Sequence, residues 1–162
     1  MNREGLTYLT ITSVLILLAG ILVTIVTPAL ESPLLAQASR PPYTEQELRG
    51  KMIYQREGCW YCHTQQVRRP EVGGGTVQLK GDIGPESKPE DFVYDKPVLW
   101  GTERQGPDLA HVASRPYGGV KEWHIIHLKE PQLLNPDTIM PSFAHLPEAE
   151  LEALADYLLT LK

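Results

Sequence analysis

Both cysteines of this chain fall within five residues, Cys59-Trp60-Tyr61-Cys62-His63. The pattern C-x-x-C-H reads as a site of covalent haem c attachment. Each thiol can form a thioether to one haem vinyl group, and the histidine that follows presents its imidazole to the iron as proximal ligand. Two other chemistries use paired cysteines. A structural zinc site takes four ligands, usually from two such pairs, and the chain has no third cysteine. A thioredoxin-like motif opens a helix after a buried strand, and Ile53 to Gly58 offers no such strand. A disulfide framework is excluded on the same count, because it would consume the haem anchors.

Haem c is attached outside the bacterial cytoplasm, so the motif belongs on the periplasmic side of a membrane. The means of getting it there is Gly5 to Leu30, a run of 26 residues without a charged side chain. It exceeds the roughly 20 residues needed to span a bilayer. A cleaved signal peptide is the alternative, and Ala36-Gln37-Ala38 resembles an A-x-A cleavage site. The apolar run is longer than a signal h-region of about 7–15 residues, however, and the A-x-A lies well past its end. The flanking charges, Arg3 on one side and Glu31 then Arg40 on the other, give a weak orientation signal. The expectation is an uncleaved single-pass anchor in the inner (plasma) membrane, amino terminus in the cytoplasm. A lone span serves as a tether or as a handle for a larger membrane partner.

About 122 residues follow residue 40, enough for one small domain. The formal charge of −5 resides there; nothing is basic enough for nucleic acid. The expected organisation is residues 1–4 as a cytoplasmic terminus, 5–30 as the transmembrane anchor, 31–43 as a proline-bearing linker and 44–162 as a mono-haem domain. Thr44 with Glu47 forms a capping-box pattern that starts a helix running to Gly58. A shorter helix is expected around Val120 to Leu128, stopped by Pro131. The last helix follows Pro147, with Leu151, Leu154, Ala155, Leu158 and Leu161 at helical spacing. Between His63 and Gly106, glycines and prolines break any helical period. Phe92, Tyr94, Val98, Leu99 and Trp100 make an ordered excursion the better reading, covering one side of the haem or docking a partner.

The sixth iron ligand is approached by elimination. Met1 begins the membrane end, and Met52 precedes the haem motif on the wrong side of the ring. Met140, in a loop between Pro136 and Pro141, is left, and His/Met ligation would raise the potential. A bis-histidine site using His111, His124, His127 or His145 is the competing class.

A haem motif after a first helix and an amphipathic helix at the end is the plan of a small c-type cytochrome. The fold class expected is therefore mainly α: one transmembrane helix, then a class I-like cytochrome c domain with a long irregular loop. That likeness implies terminal helices packed together beside the haem. Gly106-Pro107-Asp108-Leu109 resembles the loop whose proline carbonyl accepts the hydrogen bond of the proximal histidine, with Leu109 packing on the ring. Candidates to hold the haem propionates are Arg68, Arg69, Arg104, Arg115, Trp100 and Trp123.

The motifs resemble one family more specifically. Tyr54 to Pro70 (YQREGCWYCHTQQVRRP), Tyr94-Asp95-Lys96-Pro97, Leu99 to Leu109 (LWGTERQGPDL), Glu122-Trp123-His124 and Met140-Pro141 are similar to the mono-haem subunit, FixO/CcoO-like, of cbb-type haem–copper cytochrome c oxidases. Arg68-Arg69-Pro70 carries an extra arginine, and Gly73 to Pro89 departs from the family pattern. The resemblance implies an electron-transfer subunit that receives electrons from an upstream cytochrome c subunit or a soluble cytochrome c. It would pass them to haem b in a large haem–copper catalytic subunit, and would not reduce oxygen itself. The small cytochrome subunit of a nitric oxide reductase, or a free membrane-tethered shuttle, is the alternative. A haem-based sensor would need an open sixth position, against which Met140 argues.

Overall fold

The computed structural model describes residues 2–31, 38–68, 83–101 and 103–162. Arg69, most of the Gly73 to Pro89 segment, and Ala36 and Gln37 of the A-x-A lie outside these residues. The chain divides into two units, Met1–Gln37 and Ala38–Lys162. Both are helical, with no strand among the described residues.

In the first unit, Asn2 caps α1 (Arg3–Ile21) by accepting from the Gly5 amide at 3.0 Å. The helix continues through a π-type segment, Leu22–Val26, into α2 (Thr27–Glu31). Pro28 explains the widened register: it lacks an N–H for the carbonyl four residues back, and its ring crowds that carbonyl. Within Arg3–Leu30 an 18-residue stretch has a mean hydropathy of 2.7, and none of that stretch is buried in the fold. The threonines of this helix are self-satisfied. The hydroxyls of Thr7, Thr10, Thr12, Thr24 and Thr27 each donate to the carbonyl four residues earlier, at 2.7–2.9 Å. That is what a polar side chain must do in hydrocarbon. Among the described residues it is the one helix long and apolar enough to cross a membrane.

In the second unit, the capping box forms as expected. The Glu47 amide donates to Thr44 Oγ1 at 3.3 Å, and the Thr44 amide donates to Glu47 Oε2 at 2.6 Å. It starts α3 (Glu45–Arg56), which crosses the last helix, α7 (Glu148–Leu158). The crossing is close because of Gly50: a Cβ there would lie 1.9 Å from the Ala153 carbonyl oxygen. Around it Ile53, Tyr54, Leu151, Leu154, Tyr157 and Leu158 make the core. The Tyr54 and Tyr157 rings meet edge-on at 5.6 Å, and Tyr157 Oη donates to Gln65 Oε1 at 2.9 Å. α5 (Lys121–Lys129) packs on α7, fixed by a 2.8 Å ion pair between Lys121 and Asp156. It stops where expected, although Pro131 also opens one further turn, α6 (Pro131–Leu134).

The described parts of the long excursion are held by a second hub. Asp95 is buried and accepts from Arg40 at 2.6 Å, from Tyr43 Oη at 2.8 Å and from Lys51. One carboxylate thereby ties residues 40–43, α3 and the excursion together. Leu99 is buried, whereas Val98 and Trp100 stay exposed.

Candidate functional site: an apolar cavity around the C-x-x-C-H motif

Two residues beyond α3 comes Gly58, whose left-handed backbone (φ 74°) turns the chain into the short α4 (Cys59–Cys62). His63 follows as the cap of that turn, in extended conformation. Its Nδ1–H donates to the Pro107 carbonyl at 2.8 Å, which fixes the tautomer and leaves Nε2 for a ligand. Gly106 makes room: a Cβ there would lie 2.3 Å from His63 Cε1. Burial holds the His63 pKa below its ordinary value, an effect the Pro107 bond partly offsets.

Asp108 is the residue the sequence reading passed over. It is fully buried and accepts from Thr64 Oγ1 at 2.5 Å, from the Gln66 amide at 2.9 Å and from the Ala110 amide at 2.8 Å. It therefore clamps the segment leaving the motif onto the loop that orients His63. The sequence offers only an acid within Gly-Pro-Asp-Leu and a threonine directly after the motif, 44 residues apart.

Cys59, Cys62, His63, Pro107, Leu109 and Met140 all line one cavity of about 730 Å³. The remaining lining is chiefly apolar, with Tyr54, Val112, Leu128, Phe143, Leu154 and Leu158. Of the histidines weighed for the sixth position, His124 and His127 reach this lining. His124 is spent on the Gly118 carbonyl at 2.7 Å. His111 binds the Pro85 carbonyl, and His145 lies beside Glu57. Trp100 and Arg104, expected at the cofactor, lie outside the lining. Trp100 packs edge-on against Phe92 at 5.7 Å. Arg104 donates to Thr64 Oγ1 at 2.7 Å and to the Gln66 carbonyl at 2.6 Å, bracing the same segment as Asp108.

These residues fit a haem. The volume lies within the roughly 300–1,000 Å³ of small-molecule and cofactor cavities, the walls are chiefly apolar, and an oriented imidazole and a methionine line the same space. Dithiol redox chemistry fits poorly. Burial pushes the Cys59 thiol up to about 12, so it stays protonated and a poor nucleophile at neutral pH.

No curated protein matches the chain. The family model for the cytochrome c oxidase mono-haem subunit, FixO, matches residues 1–158. With the membrane-length helix and the cavity described above, the chain thus belongs to the FixO family of mono-haem cytochrome c oxidase subunits.

Proposed function

We propose that this chain is a membrane-anchored c-type cytochrome delivering electrons to the haem b and haem–copper catalytic subunit of a cbb-type oxidase. Its donor is an upstream cytochrome c subunit or a soluble cytochrome c. The observation that carries the reading is the meeting of His63, Met140, Cys59 and Cys62 on one apolar cavity. Haem, when bound, supplies a one-electron ferric/ferrous couple. Cys59 and Cys62 would hold it covalently, with His63 as proximal ligand and Met140 as distal ligand. Pro107 orients the imidazole and raises its basicity. Leu109 and the surrounding apolar side chains exclude water, which favours the less charged ferrous state. Met140 is steadied through its backbone: its amide donates to Thr138 Oγ1 at 3.2 Å, and its carbonyl accepts from Gln132 at 3.0 Å.

Mild detergent purification tests the partnership. The chain should emerge with a large subunit carrying haem b and copper; recovery without that subunit sinks the oxidase assignment. Ligation is tested by Met140→His. It should abolish the near-infrared sulfur-to-iron band and lower the potential by a sizeable part of the roughly 0.8 V over which axial ligands tune haem. A wild-type spectrum of bis-histidine type would count against Met140.

The haem-bearing unit is proposed to lie on the periplasmic side, with Arg3–Leu30 retained as the anchor. Amino-terminal sequencing of the mature protein should then find residues ahead of Leu6. Ser39 as first residue would mean cleavage after Ala36-Gln37-Ala38.

A further inference from the structure

A line of three tyrosines crosses the second unit and has no chemical role in the assignments above. Tyr54 lines the cavity around the C-x-x-C-H motif. The centre of its ring lies 5.6 Å from that of Tyr157, and Tyr157 in turn lies 5.9 Å from the ring of Tyr43. Tyr43 lines a different cavity, of about 590 Å³, together with Asp95 and Arg40. The line therefore joins two cavities through the packing of α3 against α7. Tyr54 and Tyr157 are sealed from solvent, at 1% and 0% exposure, so nothing dissolved reaches the middle of the line. Phenylalanine would fill the same core at each position. What tyrosine adds is a phenolic O–H, a group that can give up an electron and a proton together.

The proton acceptors give the line a direction. The buried Tyr54 Oη meets no partner among the described residues. Tyr157 Oη donates to Gln65 Oε1 at 2.9 Å, a neutral amide and a weak base. Tyr43 Oη donates to Asp95 Oδ1 at 2.8 Å, a carboxylate. A phenol that has lost an electron is a very strong acid, so even a carboxylate paired with Arg40 and Lys51 takes its proton. An oxidising equivalent on any of the three rings is therefore held best as the neutral radical of Tyr43.

We propose that Tyr54, Tyr157 and Tyr43 form a relay that carries an oxidising equivalent out of the haem cavity to Tyr43, with hydrogen peroxide as the oxidant disposed of. The inference rests on the haem reading above. Peroxide reaching the reduced site takes two electrons and two protons to become two molecules of water. One electron comes from the iron, which becomes ferric. The other comes from Tyr54, which is refilled from Tyr157, and Tyr157 from Tyr43. Tyr43 loses its phenolic proton to Asp95 Oδ1 as its electron leaves, and solvent supplies the two protons that complete the waters. The oxidising equivalent ends on a phenol at the second cavity, away from the haem and its thioethers.

The test uses the full-length, haem-loaded chain in detergent, reduced and then given equimolar hydrogen peroxide with a nitroso spin trap present. Peptide mass spectrometry locates the trapped radical, and the haem absorbance reports damage at the cavity. Wild-type protein should carry the adduct on Tyr43. Tyr54→Phe keeps the ring and removes a hydroxyl without a partner among the described residues, so the fold should hold. In that variant the Tyr43 adduct should be lost and the haem should bleach faster, and Tyr157→Phe should behave alike. A Tyr43 adduct undiminished in both variants overturns the relay, and one undiminished in either overturns its three-member form. Wild-type adduct confined to Tyr61, which is exposed and also lines the haem cavity, overturns it as well, as does the absence of any tyrosine adduct. Should Tyr157→Phe fail to accumulate, Tyr54→Phe alone decides. Wild-type protein that loses its haem to simple extraction overturns the cofactor reading itself, a result distinct from any of these.

Discussion

Replacing Cys59 and Cys62 together by serine should abolish haem retention altogether. Wild-type protein, denatured and extracted with acidified organic solvent, should keep its haem on the polypeptide; the double variant should release all of it. The expectation follows from chemistry that serine cannot supply, since a hydroxyl does not form the thioether. It also follows from position, because both sulfurs border the cavity that His63 and Met140 share. The consequence should extend beyond attachment. An apolar cavity of about 730 Å³ left without its occupant lacks packing partners on every wall, and the domain around it should melt at lower temperature than the holoprotein. Free extraction of haem from the wild type would reject covalent attachment while leaving the cavity and its ligand pair to be explained by a b-type cofactor.

What could be read from the sequence was local. The capping box at Thr44 and Glu47, the leucine spacing of the last helix and the C-x-x-C-H motif each need only a few neighbouring residues to be recognised, and each appears in the structure. The pairing of His63 with Pro107 spans 44 residues and was reached through the likeness of Gly106-Pro107-Asp108-Leu109 to a known loop, not through periodicity. Asp108 itself was missed because its partners, Thr64 and Gln66, are 44 and 42 residues away. Nothing near it in sequence shows that a carboxylate will be buried. Asp95 is similar, drawing Arg40, Tyr43 and Lys51 from distances of 44 to 55 residues. Arg104 and Trp100 were assigned to the cofactor because an arginine and a tryptophan near a haem loop have the right chemistry. Inside an irregular segment, however, direction cannot be read from spacing. Arg104 turned to brace Thr64 and Gln66, and Trp100 turned to Phe92.

Gly50→Ala should destabilise the domain by about 3 kcal/mol, the upper part of the range for overpacking a closely fitted core. On propensity alone alanine should improve the middle of α3 by up to about 1 kcal/mol, so the sign of the result decides whether the crossing or the helix governs this position. The geometry favours the crossing. The added carbon would lie 1.9 Å from the Ala153 carbonyl oxygen, 2.6 Å from its carbon and 2.8 Å from Tyr157 Cβ. Two of these are backbone atoms, and no rotamer change can move them. α3 and α7 would have to separate by more than an ångström. That would loosen Tyr157 from Tyr54 and from Gln65, and Gln65 lies two residues beyond His63. The damage should therefore reach the site: beyond a lower denaturation midpoint at unchanged m-value, the near-infrared band expected from the proposed Met140 ligation should weaken at temperatures where the wild type keeps it. The control is Gly20→Ala in the first unit, where nothing lies within 4 Å of the added carbon, and the domain should be unaffected. Equal or greater stability in Gly50→Ala would mean that the two helices can part without cost, and that their close approach is not what holds the haem-bearing unit together.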